Sequence, residues 1–123
     1  MATHAPRGGT RRLALAGSSA AHLLRARGGL MRAAVDRGCR VLALAPEITA
    51  GQAEAFEALG VEARALPVRP AFSLLGGRKA LSALRDVFTD WNAHTVLATG
   101  ISAAPSAVAA ARAAKVPHIA ALA

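Results

Sequence analysis

The residues best suited to chemistry lie in a short segment near the amino terminus, Gly17-Ser-Ser-Ala-Ala-His22. Its hydroxyls and backbone amides precede a predicted helix, where an anion would be favoured. A second loop, Thr99-Gly-Ile-Ser102, follows a later apolar run. Ligands of open parallel sheets bind outside the carboxyl ends of the strands, where the strand order reverses. We therefore predict a phosphate-type site at Gly17, Ser18, Ser19, His22, Arg27, Thr99, Gly100 and Ser102.

Arg27 is predicted on the helix that follows the first loop, one turn from both Leu23 and Leu30. Those apolar neighbours place it on the stripe that faces the sheet, where a positive charge needs a partner. The side chain either extends to the edge of the sheet or pairs with a carboxylate. The alternative is that its guanidinium binds a phosphate or pyrophosphate, for which its planar shape is well suited.

No complete catalytic set can be assembled from the histidines and carboxylates. His22 is interpreted as a polar loop residue or a general base. His94 and His118 are interpreted as structural residues beside strands, and His4 lies in the polar leader at the amino terminus. The four histidines lack metal-ligand spacing, so no metal site is predicted. The seven carboxylates form no evident acid and base pair. The catalytic residues are therefore unknown from the sequence.

Two common nucleotide-binding motifs are missing. The dinucleotide fingerprint needs a second glycine where Ser19 stands, and an acid at the end of the second strand where Pro46 precedes Glu47. No Gly-Lys-Ser or Gly-Lys-Thr follows any predicted strand, which excludes a P-loop.

Short apolar runs alternate with amphipathic segments along the whole chain. The predicted strands are 12–17, 40–45, 61–66, 96–100 and 118–123. The first predicted helix ends near 37, and the second runs from a Thr49 and Gln52 capping box to Gly60. The third carries an apolar stripe from Leu81 to Trp91, and the fourth runs over 105–115. Right-handed crossovers then give an α/β, Rossmann-like, three-layer domain with a parallel sheet in the order 3-2-1-4-5. We expect a flexible leader at 1–11 and one domain at 12–123.

The composition excludes several classes of protein. The chain is 54% hydrophobic and 18% charged, which is too apolar for a disordered chain. Its net charge of +8 comes mainly from 13 scattered arginines with little aromatic interleaving, so nucleic acid is an improbable partner and an anionic small molecule a better one. A lone Cys39 excludes an internal disulfide and fits a cytoplasmic setting. The apolar run after the leader is too short to span a membrane, although the chain is compatible with the inner membrane face.

Four stretches carry a family resemblance. They are Arg27-Gly-Gly-Leu-Met-Arg-Ala-Ala-Val-Asp-Arg-Gly-Cys-Arg-Val41, Ala43-Leu-Ala-Pro-Glu47, Ala58-Leu-Gly-Val-Glu62 and Ala109-Ala-Ala-Arg-Ala-Ala-Lys-Val-Pro-His118. In this order they resemble the amino-terminal domain of GT-B glycosyltransferases of the family 4 type, over residues from about 13 to the end. The resemblance implies two Rossmann-like domains that face a cleft, of which this chain is the acceptor side and is shorter than a full amino-terminal domain.

The resemblance also implies a reaction. A sugar would move from a nucleotide sugar to a lipid-linked or saccharide acceptor, with the predicted site binding the acceptor and no cofactor beyond the donor. The donor would be held mainly by a carboxyl-terminal GT-B domain or partner subunit, so this chain alone would be inactive. Asn92-Ala-His94 stands where the family has a Pro-Asp pair, and Ser102 stands where it often has a lysine. Two alternatives stay open: a non-catalytic binding subunit that needs a partner chain, and a nucleotide-binding oxidoreductase fragment.

Overall fold

The sheet has the predicted order, with all five strands parallel. A computed structural model describes residues 11–66, 77–99 and 104–122, with side chains described outside 77–80 and 104–106. The strands are β1 (Arg12–Gly17), β2 (Arg40–Ala45), β3 (Glu62–Ala65), β4 (Thr95–Thr99) and β5 (His118–Leu122). They pair in the order β3-β2-β1-β4-β5. The α/β, Rossmann-like prediction is therefore confirmed.

Four helices connect the strands: α1 (Ala20–Asp36), α2 (Ala50–Ala58), α3 (Gly77–Trp91) and α4 (Ala104–Ala113). The α1 helix ends before Gly38, whose φ of +90° is a left-handed conformation that glycine adopts without a steric penalty. The α2 helix begins with the predicted capping box, in which the Thr49 hydroxyl accepts from Gln52 N–H and the Gln52 side chain accepts from Thr49 N–H. These local signals fix the length of each crossover.

Some predicted boundaries were wrong by one or two residues. Strand β4 begins at Thr95, one residue before the predicted start, because Leu13 pairs with Thr95 in the ladder. Helix α4 ends at Ala113 and not at Lys115, whose φ of +60° lies outside the helical region. Within the predicted leader, Arg11 is described, and its carbonyl accepts from Arg40 N–H. A linker is also expected from Val68 to Gly77; residues 68–76 lie outside the described residues, and Gly77 begins α3.

Two apolar layers cover the sheet, one on each face. The layer under α1 and α2 contains Leu15, Leu23, Met31, Val41 and Phe56, each almost fully buried. The layer under α3 and α4 combines Leu84, Phe88 and Trp91 with many alanines of the strands and of α4, namely Ala14, Ala16, Ala98, Ala107, Ala110 and Ala111. Burial of these apolar side chains is the main force that holds the helices on the sheet.

The predicted stripe of α1 was wrong at one position. Leu30 is 43% exposed, whereas its neighbour Met31 is fully buried. At 100° per residue, Leu30 lies about 20° from Leu23 on one side of the helix, whereas Ala20 and Met31 lie on the other side. The buried face is therefore centred between Leu23 and Met31, with Leu30 at its margin.

An ion pair joins β2 to the edge strand β3. The Arg40 guanidinium bonds the Glu62 carboxylate and also lies over the Trp91 ring, 5.8 Å from its centroid. The hydrogen bond from Arg40 lowers the pKa of Glu62 below its ordinary value of 4.5, and the Arg40 charge and the Trp91 indole add to this lowering. Both side chains of the pair are more than 40% exposed, so solvent screens the interaction.

We expect Glu62→Gln to lower the free energy of unfolding by no more than about 1 kcal/mol at neutral pH. Because the folded-state pKa is depressed, the stabilisation is present above pH 4.5 and is lost as the pH falls through the folded value. Urea unfolding of both proteins across this range should show the two stabilities converging at acid pH. Glu54→Gln, an exposed carboxylate on α2, is the control and should show no comparable change; a gap that persists at low pH would contradict the assignment.

Candidate functional site

The carboxyl ends of β1 and β4 bring two predicted site residues into register. Gly17 pairs with Thr99, the last residues of neighbouring strands. The strand order reverses here, because β1 is followed in space by β2 on one side and β4 on the other. An open parallel sheet has its ligand crevice at this position. The predicted juxtaposition of the two loops is therefore present at Gly17 and Thr99, while Gly100 and Ser102 lie outside the described residues.

The loop after β1 is shorter than predicted. Only Ser18 and Ser19 lie between the strand and α1, and Ser19 is the residue that caps the helix. Its hydroxyl accepts from His22 N–H at 3.0 Å. Among the described residues, the two preceding amides, those of Ala20 and Ala21, have no acceptor. The amino-terminal end of α1 therefore offers two N–H groups and a partial positive charge to an anion.

His22 was predicted in a loop, and this was wrong. It lies in the first turn of α1, where the Ser19 cap fixes its backbone. Its side chain is half-buried, and within the described part of the chain its buried Nε2 atom has no hydrogen-bond partner. A neutral imidazole nitrogen either donates or accepts a hydrogen bond, so a group that reaches this atom would satisfy it.

Thr99 is the buried polar residue of the site, with an exposed fraction of 0%. Along β4, Leu97 packs with the layer under α1 and α2, whereas Val96 and Ala98 pack with the opposite layer. Side chains alternate along a strand, so Thr99 points to the α1 face. Its Oγ1 atom has no partner among the described residues. A buried hydroxyl without a partner costs about 1–3 kcal/mol, so a ligand that bonds it would remove this cost.

Gly17 is required by the packing of α1 on β1. A Cβ atom at this position would lie 2.8 Å from Leu23 Cγ and 2.9 Å from Leu23 Cδ2. Leu23 is fully buried, so it has little room to move away. The absence of a side chain at Gly17 lets the first turn of α1 lie close to the end of the strand.

We expect Gly17→Ala to lower the free energy of unfolding by about 1–3 kcal/mol, because the added methyl group would overpack this contact. Urea unfolding followed by circular dichroism measures the change. Gly29→Ala is the matched control, since a Cβ there meets no atom within 4 Å. It should stabilise α1 by up to about 1 kcal/mol through helix propensity. Equal destabilisation by both substitutions would show that the Leu23 contact is not the cause.

Arg27 lies farther from the crevice than the other described site residues. It follows the Ser19 cap by eight positions, or about 12 Å along the helix axis. It sits between Leu23 and Met31 on the buried side of α1, as predicted, and it is half-buried with an inaccessible Nε atom. Arg27 makes an interaction within the protein. A role in ligand binding requires the guanidinium to extend toward the amino-terminal end of α1.

Sequence reasoning did not find the contacts at the other end of the sheet. There the Nδ1 atom of His94 accepts from Arg12 N–H at 3.0 Å, which gives His94 the structural role expected of it. Groups of three or more potential metal ligands are absent from the described residues. In the same part of the chain, no helix is long and apolar enough to cross a membrane.

The sequence and the fold were compared with known proteins. Residues 23–122 match the family described as the glycosyl transferase 4-like domain. None of the curated proteins matches the sequence.

Solved structures share the fold at low sequence identity. MurG from Acinetobacter baumannii has a TM-score of 0.67 and 15% identity, over 89% of this chain and 34% of the MurG chain. A glycosyltransferase from Rickettsia africae ESF-5 has a TM-score of 0.62 and 9% identity, over 91% of this chain and 29% of the other. The C-terminal domain of a Pyrococcus furiosus hydrogenase has a TM-score of 0.62 and 14% identity, over 92% and 91%. The chain thus spans about a third of the two glycosyltransferase structures.

Proposed function

The chain belongs to the glycosyl transferase 4-like domain family, and from this premise we propose that it is the acceptor-binding side of a GT-B glycosyltransferase. The reaction moves a sugar from a nucleotide sugar to a lipid-linked or saccharide acceptor. The acceptor oxygen forms a bond to the sugar carbon, the bond from that carbon to the nucleotide phosphate breaks, and the hydroxyl proton passes to a base. The donor is bound mainly by a carboxyl-terminal domain or partner subunit, and this chain alone is inactive.

The observation that carries this proposal is the set of unpartnered polar groups around one crevice. The amides of Ala20 and Ala21, Nε2 of His22 and Oγ1 of Thr99 have no partner within the described residues. They all belong to the carboxyl ends of β1 and β4 or to the adjoining turn of α1. Together they supply hydrogen-bond donors for an acceptor phosphate or hydroxyl.

Several of the predicted groups have defined parts in this binding. Ser19 positions the turn through its cap, and Gly17 lets that turn approach the strand. Ser18, Gly100 and Ser102 are proposed to contact the acceptor from the two loops. Arg27 is proposed to extend along α1 and neutralise a phosphate, since a guanidinium pairs well with its oxygens. A phosphorylated lipid acceptor would place the chain at the cytoplasmic face of the inner membrane.

A titration of the ¹⁵N-labelled chain tests the proposal directly. A short-chain polyprenyl phosphate and an unphosphorylated oligosaccharide are added separately, and amide shifts are followed. Saturable shifts of Gly17, Ser19, His22 and Thr99 with either compound support an acceptor site and identify its class. Shifts produced by NAD alone would favour the oxidoreductase alternative. No shift with any of the three would favour a binding subunit that acts through a partner chain.

We expect Arg27→Ala to weaken binding of a phosphorylated acceptor by about tenfold while leaving the fold intact. The measurement is acceptor affinity of the chain assembled with its donor-binding domain, with far-ultraviolet circular dichroism as the check on folding. Arg25→Ala removes the same charge from an exposed position of the same helix and should leave the affinity unchanged. Unchanged affinity in Arg27→Ala would remove this residue from the site.

A further inference from the structure

A group of basic side chains lies at the opposite end of the sheet. Three strands begin there side by side, β1 at Arg12, β4 at Thr95 and β5 at His118. A cavity of about 130 Å³ at this amino edge is lined by Arg11, His94, Pro117 and His118. We propose that this cavity binds a phosphate-type oxyanion, at a site separate from the acceptor crevice.

Hydrogen bonds to the backbone hold His94 in one orientation. Its Nδ1 atom accepts from the backbone N–H of Arg12 at 3.0 Å, and the backbone N–H of His94 donates to the Arg12 carbonyl at 2.9 Å. His118 N–H in turn donates to the His94 carbonyl at 3.2 Å. Because Nδ1 is an acceptor here, the ring proton lies on Nε2. The His94 ring therefore has a donor left to offer a ligand, held in place by two neighbouring strands.

The cavity is rich in donors and lacks acidic side chains. Arg11 supplies a guanidinium, and His94 and His118 supply imidazoles, whereas none of the described residues that line the cavity is a carboxylate. Residues 1–10, which precede Arg11, contain neither aspartate nor glutamate. Arg11 and His118 are exposed, so their donors bond water in the free chain, and an oxyanion would replace that water with several acceptor atoms that carry negative charge.

The carboxylates of neighbouring elements either form ion pairs with other arginines or lie outside the cavity. Glu62 pairs with Arg40 on the far side of β1, and Asp36 pairs with Arg32 on α1. Asp90 is exposed at the end of α3 and does not line the cavity. The positive charge of Arg11 is thus not cancelled within the cavity itself.

The size of the cavity limits the ligand. Sites for drug-sized molecules enclose roughly 300–1,000 Å³, well above the volume here. The cavity has room for one phosphate group, and the rest of any larger ligand would lie outside it. Free phosphate and the phosphate headgroup of a lipid share this chemistry, and the experiment separates them.

The test uses the full 123-residue chain labelled with ¹⁵N. Inorganic phosphate is titrated at constant ionic strength, and sedimentation with vesicles is measured for phosphatidylcholine with and without phosphatidic acid. Saturable amide shifts at Arg12, His94 and His118 with phosphate support a site for a free anion. Sedimentation only with phosphatidic acid vesicles supports the same site with a lipid headgroup.

Substitutions assign either response to the cavity. Arg11→Gln combined with His118→Gln removes two lining donors and keeps His94, which holds the start of β1. This variant should weaken the response by about tenfold or more. Arg25→Gln combined with Arg37→Gln removes two exposed charges outside the cavity and should retain it. An unaltered response in the cavity variant, or no response to either probe, overturns this proposal. Neither outcome bears on the acceptor site proposed at the opposite end of the sheet.

Discussion

Replacing Phe88 with alanine is expected to lower the free energy of unfolding by about 3–5 kcal/mol, the largest loss of stability that we predict. Phe88 is 1% exposed, in the layer between α3 and the sheet. The substitution removes the apolar contacts of its ring and leaves a cavity. A domain of this size is stable by only about 5–15 kcal/mol, so this variant is expected to be close to unfolding at physiological temperature.

The neighbours of Phe88 explain why the loss falls at the high end for such substitutions. Besides Leu42, Leu44 and Val96, the strands contribute three alanines to this layer, whose short side chains cannot extend into a vacated space. Among the described residues of α3, the other buried large side chains of this layer are Leu84 and Trp91, with Leu81 and Val87 partly buried beside them. The cost of a cavity depends on how far its walls collapse, and alanines attached to a paired sheet collapse little.

Urea unfolding of Phe88→Ala and wild type, followed by circular dichroism, measures the loss. Leu30→Ala is the control, because this leucine is 43% exposed and its removal should change stability by less than about 1 kcal/mol. Phe88→Leu should recover much of the loss, since it restores most of the apolar volume. A loss below about 1.5 kcal/mol in Phe88→Ala would mean that α3 is not held on the sheet as described.

The order of the sheet was predictable because strong local signals agree with one topology. The chain is divided into alternating units by the glycine that ends β1, the proline after β2 and the capping box at the start of α2. Right-handed crossovers between these units then fix the strand order. The phase of α1 was not predictable in the same way. Leu30 and Met31 are adjacent apolar residues of one helix, and their spacing from Leu23 does not by itself determine which of them is buried.

The candidate site was predictable in part for a similar reason. The rule for parallel sheets places Gly17 and Thr99 together from the strand order alone. The position of His22 depended on whether Ser19 or a later residue caps α1, and a sequence with several small residues in a row leaves that open. The cavity at the amino edge requires Arg11, His94 and His118 to meet across three strands, which no spacing along the chain indicates.

Thr99→Val is expected to have two opposite effects, and this pair distinguishes a binding group from a structural one. Valine has nearly the shape of threonine but lacks the hydroxyl, whose Oγ1 atom is buried without a partner in the described residues. Removing an unsatisfied buried group should raise the free energy of unfolding by about 1 kcal/mol. If the acceptor bonds this hydroxyl, its affinity should fall by about 10- to 100-fold, the equivalent of one or two ordinary hydrogen bonds.

Thr95→Val provides the matched control for both measurements. Thr95 lies on the same strand and, four residues away, on the same face of the sheet, but at the amino end and half-buried. Its substitution should leave acceptor affinity unchanged. Urea unfolding and acceptor titration are measured on all three proteins. Higher stability of Thr99→Val with unchanged affinity would show that the acceptor does not reach this hydroxyl. Lower stability would show that Oγ1 is bonded in the folded protein, so a loss of affinity could then be structural. Only the combination of gained stability and lost affinity assigns Thr99 to the acceptor, because it requires a group that the fold leaves unsatisfied and the ligand satisfies.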